Sequence, residues 1–399
     1  MLALAWRNVW RNARRSIITM SALGVGVAGL VGIYSYREVA NETILRDVTA
    51  GLMGHIQVHA EGYQAAPSIS LVVHQPQAVE AAVHGALPGA KAEKRVIGAG
   101  LAGAGERSAP VMVLGLEPGV STLYRLVDGR ELQAGSREVL VGKDLAVDLG
   151  LSLGSELVLV SQAADGSVAN DRYVVGGTFV SSSAEMDASA VALTLSEAQS
   201  FFSLGDGVHQ VVLRLPDAQE DVSAQVTALR AALDLKTLEA LSWSEMLPEM
   251  KASMDSKRKS QTFMDFVVFL IVGLGVFNAM TMSVFERTRE LGVLGALGTR
   301  PRRILAMIVV ESLWQGALAF VVGVGLAAAI LYGIGSVDLG AQMGGDVMGV
   351  RMPSSLQLKL WPGALTGAAF TAFFTALLGA LLPAVRAMRL KPVDALRHV

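Results

Sequence analysis

The run FVVFLIVGLGVFNAMTMSVF, Phe266–Phe285, carries no charged residue and comes directly after Asp265. A helix of about 20 such residues crosses a bilayer core of roughly 30 Å. Three other stretches read the same way: Ile17–Tyr36, which ends at Arg37; Ile304–Gly335, with a single acid at Glu311; and Pro362–Val385, with no charge. The chain is therefore expected to be an α-helical membrane protein with four crossings. The mixed sequence between the first and second crossings must then face water.

Composition agrees. Of 399 residues, 52% are hydrophobic and 17% charged, against a usual charged share of about a quarter, and the mean hydropathy is +0.47. An ordinary soluble enzyme is a poor fit. A formal net charge of −2 provides no overall field for gripping nucleic acid. The absence of cysteine excludes disulfides, thiolate metal sites and cysteine nucleophiles.

Lys and Arg in short segments stay on the cytoplasmic side. Residues 1–15 carry Arg7, Arg11, Arg14 and Arg15; the link 286–303 carries Arg287, Arg289, Arg300, Arg302 and Arg303; the tail 386–399 carries Arg386, Arg389, Lys391 and Arg397. The link 336–361 has only Arg351 and Lys359, set against Asp338 and Asp346. Both termini are thus expected in the cytoplasm, with crossings at 16–36, 262–285, 304–335 and 362–385 and an extracytoplasmic domain at 37–260. The first run is too long for the roughly 7–15-residue core of a signal peptide, and no A-x-A-like site comes after it. Upstream, residues 1–15 read as an amphipathic interfacial helix, with Trp6 and Trp10 on the apolar face and Arg7 and Arg11 on the other.

The outside domain reads as α+β. Strands are expected at His55–Ala60, Ala109–Leu116, Glu138–Gly142, Ala190–Leu195 and Gln210–Leu215, and helices at Pro76–Leu87 and Lys143–Leu149. Glu156–Val160 and Arg172–Phe179 bracket a polar loop as a hairpin would.

Catalytic patterns fail one by one. His55 and His59 have zincin spacing, but Ile56 stands where the general base belongs, and along a strand the two rings lie about 13 Å apart. No metal site is expected. Gly24, Gly26 and Gly29 lie inside the first crossing, where helix packing explains them. Gly98, Gly100 and Gly103 repeat the G-x-G-x-x-G spacing with no helix after them, and read as a small-residue surface loop rather than a dinucleotide fingerprint. There is no Walker A sequence, so no ATP site and no catalytic residue is expected in this chain. Glu311, an acid within a crossing, marks either a functional site or a side chain bonded inside the bundle.

The segment Glu286–Ile304 reads ERTRELGVLGALGTRPRRI. As a helix it sets Glu286, Arg289, Glu290 and Val293 on one side and stops near Gly298, with Pro301 beyond. This string resembles the E-R-x-R-E-I-G-x-L-x-A-L-G-A element of ABC transporter permeases of the MacB, FtsX and LolC/LolE type. The tail, PAVRAMRLKPVDALR, is similar to that family's closing element. Arg137–Val160, Tyr173–Ser189 and Trp243–Met250 resemble its extracytoplasmic segments, and GHIQVHAEGY (Gly54–Tyr63) resembles its lipoprotein-releasing branch.

The resemblance implies a multi-pass permease of the bacterial inner membrane. Such a permease pairs with a second one, as a homodimer or a paralogous heterodimer, and binds two copies of a cytoplasmic ATPase that hold ATP and Mg2+. The helix over Glu286–Gly298 would be the coupling helix, with Glu286, Arg287, Arg289, Glu290, Leu294, Leu297 and Gly298 at the ATPase contact. Movement would pass through the crossings to the outside domain by mechanotransmission. Three roles are open: lipoprotein release, with cargo handed to a periplasmic acceptor; MacB-like export through an adaptor and outer-membrane duct; and FtsX-like regulation of a cell-wall hydrolase. Met250, Met254 and Met264 either offer an adaptable surface to membrane lipid or fill core gaps.

Overall fold

The computed structural model describes residues 13–119, 123–181, 183–216, 221–233, 236–338, 346–347, 350–351 and 355–388. The chain forms two compact units. One gathers residues up to Asn41, Ser253–Asp338 and from Ser355 onward, and the other Glu42–Ala252 with Leu339–Ser354.

The first apolar run lies in α1 (Ala13–Ala50), a 38-residue helix. At 1.5 Å per residue it is about 57 Å long, far more than a bilayer core needs. Residues 37–50, expected in the outside domain, are helical. The helix ends before a turn over 51–54 in which Gly54 has φ +63, and a Cβ there would run into Val212.

The sheet unit then runs β1 (Ile56–Ala60), α2 (Pro76–Ala86), β2 (Lys91–Ala104), β3 (Arg107–Leu116), β4 (Tyr124–Gly129), β5 (Glu138–Gly142), α3 (Lys143–Leu149), β6 (Glu156–Gln162), β7 (Val168–Ser181), α4 (Ala184–Ser189), β8 (Ala190–Thr194), α5 (Leu195–Phe201), β9 (Gln210–Arg214), α6 (Ser223–Ala232), β10 (Leu238–Ser242) and α7 (Trp243–Met246). The ten strands form one sheet in the order β10-β1-β9-β2-β3-β8-β5-β7-β4, with β6 beside β2 and β7. Among the described residues only β3 with β8 and β5 with β7 pair in parallel. Short helices packed on a mostly antiparallel sheet give the α+β class read from the sequence.

Local chemistry sets the element ends. Gly150 closes α3 in the left-handed region, Thr194 caps α5 by accepting from the Glu197 N–H, and Ser242 with Glu245 forms a capping box on α7. Leu114, Leu116, Leu140, Phe179 and Met186 build a buried core against Ala190 and Ala192.

Two expectations need correction. The glycine-bearing segment 98–103 is not a surface loop but the second half of β2. Small residues are needed there because the Phe202 ring occupies the space a Cβ on Gly98 would take, and a Cβ on Gly100 would lie 2.9 Å from the Val160 carbonyl. Gly98 and Ala99 also line an open groove of about 930 Å³, together with Ile69, Leu101 and Met112. In the β6–β7 hairpin, pairing runs from Glu156 with Val174 to Gln162 with Val168, so most of the expected polar loop is strand.

The helical unit contains α8 (Pro248–Glu286), α9 (Thr288–Ala296), α10 (Pro301–Ile334) and α11 (Pro362–Met388). Between α10 and α11 lie two short ribbons, β11 (Ser336–Asp338) with β14 (Ser355–Gln357) and β12 (Asp346–Val347) with β13 (Val350–Arg351). Among the described residues α8, α10 and α11 are long and apolar enough to cross a membrane. The helix α8 begins 18 positions before Phe266, because the charged stretch ahead of the apolar run is rich in helix formers. Hydropathy marks membrane, not helix ends. Gly316 brings α10 close to α11, where its Cβ would lie 3.1 Å from that of Ala376. Ser312 Oγ donates to the Ala376 carbonyl at 2.6 Å. Val27, Leu30 and Val31 of α1 pack with Ala327, Ala368 and Ala372.

Candidate coupling site

Between α8 and α9 the helix is interrupted at Arg287. The Thr288 hydroxyl donates to the carbonyls of Val284 and Phe285 at 3.1 and 2.9 Å, which ties the end of α8 to the start of α9. At the other end of α9, the Thr299 N–H bonds the Leu294 carbonyl at 3.0 Å and Gly298 takes φ +84. That is a Schellman stop, and a residue with a Cβ would resist it. Pro301 then opens α10 at a position where its missing N–H is not needed.

This short helix has two faces. Leu291 is buried, and it packs together with half-buried Leu294 among Ile304, Ile308, Ala384 and Ala387. Glu286, Arg289, Glu290, Val293, Leu297 and Gly298 are exposed, with Leu297 78% open. Arg289, Glu290, Val293 and Leu297 recur along α9 and its last turn at spacings of three or four, so they share one side, while Glu286 precedes the interruption and Gly298 is the stop.

Arg287 points the other way. Its Nη1 donates to both Glu311 oxygens at 3.0 and 2.9 Å, and its Nε faces Glu290 at 3.4 Å. The Arg287 and Glu311 side chains are 13% and 7% exposed, so each charge is held by the other with little water. Glu311 lies ten residues into α10, about 15 Å along it. The structure thus puts two of the singled-out residues, Arg287 and Glu311, together and turns Arg287 and Leu294 away from the face formed by Arg289, Glu290 and Leu297.

Trp6, Arg7, Trp10 and Arg11 lie outside the described residues. Met250 and Met254 are half-buried, and Met264 is 60% exposed.

Two charge groups escaped the sequence reading. On α1 and α8, Arg37 Nη1 donates to both Asp265 oxygens at 2.9 and 3.0 Å. The only signal was that each charge abuts an apolar run. In the sheet unit Glu93, Arg95 and Arg214 form a buried cluster. Arg95 Nε and Nη2 donate to Glu93 at 2.9 and 3.2 Å, Arg214 reaches the same carboxylate, and Arg95 Nη1 donates to the Leu52 carbonyl at 2.7 Å. Gln57 holds the same turn through the Leu52 and Met53 carbonyls at 2.9 and 2.8 Å. Burial raises the Glu93 carboxyl, but the Arg95 and Arg214 charges outweigh it and hold the pKa below the ordinary value.

His55 and His59 take protein partners. The Leu215 N–H donates to His55 Nδ1 at 3.2 Å, and His59 Nε2 meets Gln57 Oε1 at 2.9 Å.

Residues 16–229 match the model of the MacB-like periplasmic core domain, and residues 262–392 that of the FtsX-like permease C-terminal region. The chain belongs to this permease family. It is an ABC transporter permease of the MacB/FtsX/LolC type. The permease is 25% identical over 418 aligned residues to the lipoprotein-releasing system transmembrane protein LolC of Xylella fastidiosa, across 97% of this chain and 95% of that one. It is 23% identical to the macrolide export ATP-binding/permease protein MacB 1 of Yersinia pestis, across 99% of this chain and 60% of that one. Among solved structures, the periplasmic region of MacB from Actinobacillus actinomycetemcomitans covers 52% of the permease at 10% identity, with a TM-score of 0.38. The matched C-terminal region contains α9, α10 and α11 in full, and so the whole of the two-faced helix.

Proposed function

We propose that the permease works in a lipoprotein-releasing machine of the bacterial inner membrane, drawing acylated protein from the outer leaflet. The observation that carries the ATP-driven part is the exposed side of α9. There Arg289 and Glu290 offer charge, and Val293 and Leu297 offer apolar surface, on a helix whose opposite side is anchored among α10 and α11. A cytoplasmic ATPase, present in two copies and holding ATP and Mg2+, would cover that side. In this reading α1 supplies the fourth crossing, the termini are cytoplasmic and the sheet unit is periplasmic. A second permease, identical or paralogous, completes the membrane part.

Release rather than export is favoured by the alignment to LolC, which runs through nearly all of both chains, whereas MacB 1 is covered over 60% of its length. Export through an adaptor and outer-membrane duct is the second reading, favoured by a 40% identity over 130 residues to the MacB of Hyphomonas neptunium. The test is a mild-detergent pull-down of the tagged permease from its native membrane, with every co-purifying protein identified by mass spectrometry. An ATPase with a second permease and acylated lipoproteins supports release. An ATPase with an adaptor and duct favours export, and no ATPase at all refutes the coupling role of α9.

A further inference from the structure

The apolar stretch of α8 lies between Asp265 and Glu286, with Arg287 just beyond the helix end, 22 positions from Asp265 along the chain. Asp265 and Arg287 each hold a different neighbour. Asp265 takes Arg37 of α1, whose guanidinium also lies 5.3 Å over the Tyr34 ring, while Arg287 takes Glu311 of α10. Between these ties one side of α8 packs on α11, with Val276 and Met280 buried against Ala380. On its other side Phe266, Leu270, Ile271 and Leu274 stand exposed.

The two ties differ in what parting them would require. Arg287 and Glu311 are nearly dry, so separating them would strand two charges. Arg37 and Asp265 are 22% and 31% exposed, so water or lipid headgroups can take over both as they part. Moreover, α1 is held elsewhere on its own account. The Trp361 N–H donates to Ser35 Oγ at 3.3 Å, and Gly367 leaves room for the Tyr34 ring, which a Cβ would approach to 3.0 Å. Parting the pair therefore leaves α1 held at Ser35 and Tyr34, and lets the Asp265 end of α8 move about its packed segment at Val276 and Met280.

We infer that the Arg37–Asp265 pair is a releasable latch between α1 and α8, opening and closing in each transport cycle while the Arg287–Glu311 tie stays shut. The chain enters the sheet unit from α1 and leaves it into α8, so the latch stands on both connections. The inference rests on the reading of the chain as an ATP-driven permease.

The chain has no cysteine, so spin labels go onto Tyr36→Cys and Met264→Cys, which flank the latch and leave its charges in place. The labelled permease is studied with its ATPase in nanodiscs, with and without ATP and vanadate. One short distance is expected without nucleotide, giving way to a longer one when nucleotide is trapped. Adding Arg37→Gln should deplete the short distance several-fold without nucleotide. The exchanged pair Arg37→Asp with Asp265→Arg should restore it, which a merely misfolded variant would not. An unchanged distance with the ATPase bound, or an exchanged pair that behaves like the single variant, overturns the latch. Absence of a bound ATPase in the same preparation overturns the permease reading, and the latch with it.

Discussion

Arg287 and Glu311 meet with one guanidinium nitrogen between two carboxylate oxygens, where the chain turns from α8 into α9. The pair joins the base of the two-faced helix to the interior of α10. Removing one member leaves the other charged and nearly dry, at a cost of about 3–5 kcal/mol. Arg287→Leu or Glu311→Leu alone should therefore lower the Tm of the purified permease more than the double variant does. A double variant that is less stable than both singles would contradict this.

On the exposed side of α9 the expectation reverses. Substituting Arg289 and Glu290 together by alanine should change folding stability by no more than about 0.5 kcal/mol, as surface changes usually do. Co-purification of the ATPase, or its coupling to work, should be lost. The melting curve and the pull-down, run on one preparation, separate the two effects. Unchanged coupled activity in this variant would remove α9 from the contact.

Gly98 tests the placement of the glycine-rich segment. A methyl group there collides with the Phe202 ring, and overpacking of this kind costs about 1–3 kcal/mol. Gly98→Ala should lower the unfolding midpoint, and adding Phe202→Leu should recover part of the loss. In a surface loop neither change would register.

Acid should weaken the sheet unit before its carboxylates titrate. Burial pushes the imidazoles of His55, His59 and His209 below their ordinary value; Arg214 adds to this at His55, while Glu239 opposes it at His59 and the Ile69 carbonyl at His209. The unfolded chain then binds protons that the folded chain refuses. Stability is therefore full above about pH 6.5, the unfolded value, and falls as pH drops from there toward the lower folded values. Glu93, held below its ordinary value, adds a second loss only under about pH 4.3. A Tm that is flat from pH 7.5 to 5 would refute the first phase.

The features that were legible in the sequence are those written in neighbouring residues. Long apolar runs located α8, α10 and α11, and Gly298 with Pro301 marked the stop and the restart after α9. The ionic contacts were not legible, because their partners are remote: 24 positions for Arg287 and Glu311, 228 for Arg37 and Asp265, and 121 for Arg214 and Glu93. In β2 the charges of Glu93 and Arg95 suggest a wet face, yet both side chains are buried. Only the arrival of Arg214 from β9 and the Leu52 carbonyl makes that burial tolerable.

The placement of β1 bears on how the protein is made. Its residues Ile56 to Ala60 pair with Ser242 to Leu238 on one side and with β9 on the other. Both partner strands are synthesised some 150 residues or more after it. During synthesis this first strand, buried at all five positions in the finished sheet, must wait with both edges open until almost the whole domain has been made. Pairings this distant in sequence form slowly, and unpaired edges invite aggregation. Biogenesis of this permease should thus depend on chaperones more heavily than its modest size would suggest, and most acutely in cells that translate the β9–β10 region slowly.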